Sequence, residues 1–225
     1  MCKFASNHRL KMADNYLESR FEEVFGAGKK PKVVVKRNNP SIDTLLHRNR
    51  SYRGYDKSYV VSEEELREIV GVNTLIGSGM NRQALRFRLV TRETGADKVL
   101  PLLRMGAALP DLHLPLEGTE PESFIVVCST VPEDSIICID LGMSLQSMLL
   151  KAVSKGLNGV IIKAFDPDKL AEELSLPYRP LAVLAIGKGA ESIFLRPVSE
   201  GESLKYYRKD GVHYVPKLRL EDILL

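Results

Sequence analysis

The segment of residues 140–155 constrains the fold more than any other part of the sequence. Its apolar and small side chains recur at helical spacing and form one wide stripe: Leu141, Ser144, Leu145, Met148, Leu149 and Ala152. Gly156 follows directly, and glycine is the residue that most often ends a helix. The segment therefore predicts a long helix whose apolar face is packed against other elements.

Short apolar runs on both sides of this helix predict strands. Residues 124–129 and 181–186 are apolar almost throughout, which is typical of strands buried on both faces, and residues 159–164 predict another strand. The pattern also predicts helices at residues 41–48, 62–70, 98–109 and 166–174, a strand at residues 87–91 and a loop at residues 110–121. Strands that alternate with helices indicate helices layered on a sheet.

The first 39 residues differ in character from the rest of the chain. Residues 12–25 predict one amphipathic helix, and residues 29–37 form a basic arm. We interpret residues 1–39 as an N-terminal extension that packs on the main body or on a partner subunit, and residues 40–225 as the functional domain. The basic arm is either a solvated segment or a nucleic-acid contact. Because Lys and Arg exceed Asp and Glu by only 32 against 29, we favour the solvated arm and expect no nucleic-acid partner.

Several common kinds of site have no signature in the sequence. There is no Gly-x-Gly-x-x-Gly, no Walker loop and no Gly-x-Ser-x-Gly elbow. The histidines and cysteines are dispersed, so we expect no metal site: His8, His47, His113, His213, Cys2, Cys128 and Cys138. We expect no membrane span and no signal peptide, and therefore a cytoplasmic protein. If the chain is an enzyme, its chemistry is expected to reside in a bound cofactor, with no catalytic side chain.

Three segments combine polar chemistry with a defined place in the predicted fold. Residues 48–53 carry three arginines and a serine after a helix, and guanidinium groups suit phosphate and carbonyl acceptors. Residues 78–83 combine small residues with two side-chain amides, which can meet the edge of a heterocycle. Residues 160–166 lead from a strand into a helix cap. Taken singly, the segments are equally explained as a basic helix end, a capped turn and a plain connection.

Together, in this order, the segments resemble the FMN-dependent nitroreductase family. That family has an Arg-Arg-Ser-x-Arg motif, a Ser-Gly-x-Asn-x-Gln-Pro-Trp segment, and an Asp-x-Gly followed by a long helix ending in Gly-Leu-Gly. The matching stretches here are Arg50-Ser51-Tyr52-Arg53, Ser78-Gly79-Met80-Asn81-Arg82-Gln83, Asp140-Leu141-Gly142, Gly156-Leu157-Asn158-Gly159, Phe165-Asp166 and Gly187. The resemblance covers residues 41–225.

The chain departs from the family pattern at three places. Asn49 stands where the family usually has arginine, and whether Arg48 replaces it is left open. Ala84 and Leu85 replace the usual Pro-Trp. The region between Arg92 and the strand at 124–129 is short, and because this region commonly shapes the substrate channel, the departures leave the substrate class open.

The resemblance implies an α+β, nitroreductase-like fold with a central, mostly antiparallel sheet flanked by helices. It also implies an intertwined homodimer with FMN at the interface, and we expect the helix of residues 140–155 to face the partner subunit. The cofactor-binding residues implied by position are Arg48, Asn49, Arg50, Ser51, Arg53, Ser78, Met80, Asn81, Gln83, Ile162, Lys163, Ala164, Lys217 and Arg219.

The resemblance also implies a role for each group. Arg53 would lie at the carbonyl and N1 edge of the ring, where a cation stabilises the reduced flavin, and Asn81 and Gln83 would meet the ring and ribityl chain. Backbone groups of residues 162–164 would face N5. Lys217 and Arg219 would bind the phosphate, although ordinary surface charge explains them equally well.

The implied activity is that of an FMN-dependent NAD(P)H oxidoreductase. Hydride would pass from NADH or NADPH to the flavin, and a small nitroaromatic, quinone or similar acceptor would then take the place of the nicotinamide, in a ping-pong route. Two other classes remain open at this point. One is a flavin-binding module without turnover, serving as a sensor or flavin store. The other is an interaction protein whose basic arm binds nucleic acid.

Overall fold

A computed structural model describes residues 40–106 and 114–225. The predicted N-terminal helix and basic arm lie outside these residues and stay predictions. The described residues form helices α1 Ile42–Arg48, α2 Glu63–Gly71, α3 Ala96–Val99, α4 Ser135–Ser154 and α5 Pro167–Glu173. Their strands are β1 Leu85–Val90, β2 Phe124–Ser129, β3 Asn158–Ile162, β4 Arg179–Gly187, β5 Ser192–Val198, β6 Tyr207–Lys209 and β7 Val212–Leu218.

Within the described residues, the central sheet has four strands in the order β1-β2-β4-β3, and every neighbouring pair is antiparallel. Strand β2 is buried at all its positions, and β4 is buried everywhere except its first residue, Arg179. These two strands lie in the middle of the sheet, which explains why their sequences are continuously apolar rather than alternating. The predicted α+β fold with an antiparallel sheet is confirmed.

Helix α4 covers one face of this sheet and corrects one of our expectations. Its apolar stripe packs within the chain itself, where Leu145 and Met148 belong to the same core cluster as Ile125 and Leu184. The stripe therefore does not face a partner subunit, because it packs against the central sheet of its own chain. The second core cluster lies around Val126 and Val183 with α3 and α5.

Helix α4 also begins earlier than the sequence pattern predicts. The helix begins at Ser135, since the side chain of Asp134 accepts a hydrogen bond from the backbone N–H of Ile137 at 2.8 Å. With these added residues, α4 is long and apolar enough to span a membrane by length and composition alone. Half of that apolar window is buried inside the fold, as in a helix that covers the core of a folded domain.

Helix starts encoded by local side chains were predicted correctly. Ser62 and Glu65 form a reciprocal capping box: the serine hydroxyl accepts from the N–H of Glu65 at 3.2 Å, and the carboxylate accepts from the N–H of Ser62 at 2.9 Å. Asp166 caps α5 by accepting from the two following donors, Asp168 and Lys169, at 3.0 and 3.2 Å.

Two regions differ from the sequence-based prediction. The helix expected from residue 98 ends at Val99 and continues only as a 3₁₀ turn, Leu100–Leu102, because Pro101 lacks a backbone N–H donor. The tail, for which no strand was predicted, forms a second sheet in the order β5-β7-β6, with β5 and β7 parallel. Its aromatic side chains pair across strands, as Tyr207 and Tyr214 do with ring centroids 5.1 Å apart.

Candidate functional site

The arginine segment lies along the outer edge of the central sheet. It leaves α1 and runs beside β3, where Ser51 forms a parallel bridge with Gly159 and the N–H of Tyr52 donates to the Gly159 carbonyl at 3.1 Å. A Cβ on Gly159 would lie 2.6 Å from the carbonyl oxygen of Ala185 on β4, so glycine permits the close pairing of β3 with β4 at this point. The sequence therefore fixes the segment against a rigid strand.

Arg50 carries a guanidinium group that the protein satisfies only in part. Its Nη2 donates to the carbonyl of Leu46, but its Nε is buried and has no hydrogen-bond partner among the described residues. Within residues 40–106 and 114–225, no carboxylate forms an ion pair with Arg50. Burial lowers the pKa of Arg50, with a smaller opposing effect from Tyr52. A buried cationic donor without an acceptor is costly, which favours an acceptor supplied by a ligand.

The neighbouring members of this segment are placed differently. Arg48 is exposed at the end of α1, whereas Asn49 is half-buried and its side-chain amide donates to Gln146 on α4 at 3.4 Å. Arg53 is half-buried, and its Nη1 donates to the carbonyl of Ser51 at 3.2 Å. The segment thus presents its arginines from three distinct positions rather than as one exposed cluster.

The second segment, residues 78–83, forms a strained turn. Three of its residues other than glycine have left-handed backbone angles, with φ of 51° at Met80, 51° at Asn81 and 46° at Gln83. Such angles cost about 1–3 kcal/mol each and are typical of functional sites. The turn is stabilised by Ser78, whose hydroxyl accepts from the N–H of Gln83 at 3.0 Å, and the side chains of Asn81 and Gln83 are joined at 2.9 Å.

Helix α4 connects the first two segments. Asp140 accepts from the N–H of Gly79 at 2.7 Å, and Gln146 accepts from Asn49 as described. Six residues separate these two contacts, which corresponds to about 9 Å along the helix. A Cβ on Gly79 would lie 2.2 Å from a methyl group of Ile136, so glycine is required where the turn meets the helix.

The third segment follows the end of β3. Ile162 is buried as the last residue of the strand, whereas Lys163 and Ala164 are exposed. The ammonium group of Lys163 lies 3.6 Å from a carboxylate oxygen of Glu133, and the carbonyl of Ala164 accepts from the N–H of Arg104 at 2.9 Å. This segment shares strand β3 with Gly159, so it lies on the same edge as the arginine segment.

The two predicted phosphate-binding residues lie on the second sheet. Lys217 is exposed on β7, and Arg219 follows that strand with its N–H donating to the carbonyl of Val198 at 3.2 Å. Among the described residues, no hydrogen bond or ion pair joins either side chain to the other candidate residues. Their assignment to a common site stays a prediction.

A cavity of about 720 Å³ opens beside the strained turn. Ser78, Gln83 and the half-buried Phe87 of β1 line it, together with Asp140 and Ser144 of α4. The Asp140 carboxylate is buried, and its Oδ2 has no hydrogen-bond partner in the part of the chain that the structure covers. In the part of the chain that the structure describes, no cluster of three or more metal-ligating side chains occurs.

Comparison with known proteins gives consistent matches. A model of the nitroreductase family matches residues 121–188, which include β2, α4, β3, α5 and β4. A Bacillus subtilis (strain 168) protein named as the NAD(P)H nitroreductase YdgI is 25% identical over 183 residues, which are 65% of this chain and 88% of that protein.

Two solved structures show the same fold. One is a nitroreductase from Exiguobacterium sibiricum 255-15 in complex with FMN, with a TM-score of 0.55 and 21% identity, covering 68% of this chain and 90% of that one. The other is an NAD(P)H:FMN oxidoreductase from Staphylococcus epidermidis ATCC 12228, with a TM-score of 0.55 and 19% identity, covering 68% of this chain and 88% of that one.

Proposed function

We propose that the chain is a member of the nitroreductase family and that it is an FMN-dependent NAD(P)H oxidoreductase. The names of its relatives support this activity, as does the FMN bound to one of them. In the proposed reaction, NADH or NADPH is the donor and a small nitroaromatic, quinone or similar compound is the acceptor.

The observation that carries the proposal is the unsatisfied hydrogen-bond donor of Arg50. Its buried Nε lacks an acceptor, and within the described residues no carboxylate neutralises its charge. An anionic, planar cofactor with carbonyl edges would supply both the acceptor and the charge. The residues present therefore fit FMN.

Each part of the proposed site has one task. Bound FMN would supply the hydride acceptor and, in the second half of the reaction, the hydride donor. Arg50 and Arg53 would bind the ring edge and offset negative charge there, while the amides of Asn81 and Gln83 would orient the ring. Lys217 and Arg219 would bind the phosphate. No side chain acts as a nucleophile in this proposal.

We also propose that donor and acceptor occupy the same place in turn, which is a ping-pong order. Initial-rate measurements at several fixed acceptor concentrations should then give parallel double-reciprocal lines. Intersecting lines would show that both substrates are bound at once and would exclude this order.

A homodimer is part of the proposal, with FMN at its interface. The outward face of α4 exposes apolar side chains, with 62% of Ile139 and 41% of Met143 accessible in the single chain. Apolar side chains left on a helix surface are typical of surfaces that pair with another subunit. Sedimentation at several protein concentrations should show a dimer, and a monomer at micromolar concentration would exclude it.

The absorption spectrum of the purified protein tests the central proposal. We expect a flavin spectrum that bleaches when NADH or NADPH is added without oxygen and recovers when a quinone is added. A spectrum that stays oxidised with both donors would favour a flavin-binding module without turnover. A colourless protein that cannot be reconstituted with FMN would exclude both functions.

A further inference from the structure

A glutamate outside the candidate segments connects the arginine segment to the second sheet. Glu191 lies between β4 and β5, and only 9% of its side chain is exposed. Its Oε2 accepts from the backbone N–H groups of Arg53 and Gly54, the second at 3.0 Å. Its Oε1 accepts from Nη2 of Arg208 on β6. Three donors on one nearly buried carboxylate make a rigid connection.

The side chain of Arg53 is held from the same sheet. Its guanidinium carbon lies 5.4 Å from the centre of the Tyr206 ring, within the range of a cation–π contact. Tyr206 in turn stacks on the buried His213, with ring centroids 5.2 Å apart. Glu191 therefore fixes the backbone of Arg53, and Tyr206 fixes the position of its charge.

We propose that Glu191 is a positioning residue for the flavin site. It holds the Arg53 loop against the sheet that carries Lys217 and Arg219, and so sets the separation between the cation at the ring and the cations at the phosphate. This inference rests on the proposed function. Glu191 acts through Arg53 rather than by contact with the cofactor, because its carboxylate oxygens already accept from the three protein donors.

The charge of Glu191 and its positioning role predict effects of opposite sign. The negative charge of the carboxylate partly neutralises the positive charge of the nearby arginines. Removal of this charge alone would therefore strengthen the binding of an anion and raise the midpoint potential of the flavin. As a positioning group, it holds Arg53 where the ring gains negative charge, so its removal would weaken binding and make reduction harder. The sign of the change therefore distinguishes the two roles.

The test compares Glu191→Ala with Glu202→Ala. Glu202 is a matched control, since it also accepts from an arginine, Arg196 at 3.3 Å, and from a backbone N–H, that of Ser199 at 2.7 Å, but 45% of its side chain is exposed. We expect Glu191→Ala to raise the Kd for FMN about tenfold or more and to lower the midpoint potential of the bound flavin. The control should change the Kd less than about twofold.

A second readout needs no cofactor. In the flavin-free protein, the amide hydrogens of Arg53 and Gly54 should exchange at least about tenfold faster in Glu191→Ala than in the unmodified protein. If the alanine variant does not fold, Glu191→Gln keeps one oxygen acceptor for these amides and Tyr206→Leu removes only the aromatic contact. Tyr206→Leu should still lower the potential, whereas Glu191→Gln, which keeps the acceptor and loses the negative charge, should not lower it.

Three results would overturn the inference. The first is a tighter FMN complex or a higher potential in Glu191→Ala, which would assign the effect to charge. The second is unchanged amide exchange. The third is that Glu191→Ala shifts the midpoint potential by the same amount in the Arg53→Ala variant as in the unmodified protein. A residue that acts through Arg53 should have no further effect once Arg53 is removed. If the unmodified protein binds no FMN, the proposed function fails instead, and amide exchange still decides whether Glu191 orders the loop.

Discussion

The placement of the α4 stripe in the chain's own core predicts a large difference between two methionines on that helix. Met148 is fully buried in the core cluster, whereas 41% of Met143 is exposed. Changing either residue to alanine removes the same three side-chain heavy atoms. For a fully buried methionine this change costs about 2–5 kcal/mol, the sum of lost transfer free energy and the cavity that remains.

The expected magnitude is accessible to ordinary unfolding experiments. A loss of ~3 kcal/mol corresponds to a fall in Tm of about 6–12 °C for a domain of this size, at about 2–4 °C per kcal/mol. Met143→Ala should change the free energy of unfolding of the monomer by less than about 0.5 kcal/mol, as for other surface substitutions. Urea unfolding of the flavin-free protein at two protein concentrations measures both quantities.

The dependence on protein concentration separates packing within the chain from packing between chains. The loss in Met148→Ala should be the same at both concentrations, because its contacts lie in one chain. Any effect of Met143→Ala should appear as weaker dimerisation. If Met148→Ala costs less than about 1 kcal/mol, or if its effect grows with protein concentration, the assignment of the stripe to the intrachain core is wrong.

Three further predictions concern the site and its surroundings. The double variant Arg53→Ala with Lys217→Ala should release FMN and leave the fold intact; retained flavin in a well-folded protein would contradict the roles implied by the family resemblance. Gly79→Ala should destabilise the protein by about 1–3 kcal/mol, because its Cβ would lie 2.2 Å from an isoleucine methyl group. Gly142→Ala, whose Cβ would meet no atom within 4 Å in the single chain, should not destabilise the monomer in the same denaturation assay. Burial raises the pKa of the Cys128 thiol to about 11, so alkylation monitored by mass spectrometry at pH 8 should leave Cys128 unmodified until the protein unfolds.

Local signals explain which parts of the fold could be predicted. The capping box of Ser62 and the cap of Asp166 lie within three residues of the donors they satisfy, so the sequence predicts them directly. The continuous apolar runs of β2 and β4 are likewise visible in the sequence. The second sheet is not predicted because β5 pairs in parallel with β7 across a long connection, and the mixed basic, aromatic and apolar residues of β7 follow no strict alternation.

The contacts that organise the candidate site are mostly invisible at the level of sequence. Glu191 binds backbone donors 137 and 138 positions earlier in the chain, and nothing in its immediate neighbours marks it. The left-handed turn around Met80 was also not predicted, since no glycine stands at its strained positions. The family resemblance indicates both the arginine segment and the turn. They lie close together because both bind α4, the turn through Asp140 and the arginine segment through Gln146.

Charge alone does not distinguish the candidate cofactor-binding residues from other surface cations, but burial does. Among the described residues, Arg48, Lys217 and Arg219 form no ion pair, but neither do Arg86 and other exposed cations, so an unpaired surface charge is weak evidence for a ligand. Arg50 differs because its Nε is removed from water as well as from any carboxylate. A protein that keeps such a group without a partner loses stability that an anionic ligand can restore. FMN should therefore raise the Tm of the unmodified protein more than that of Arg50→Met, and an equal rise in both would remove Arg50 from the site.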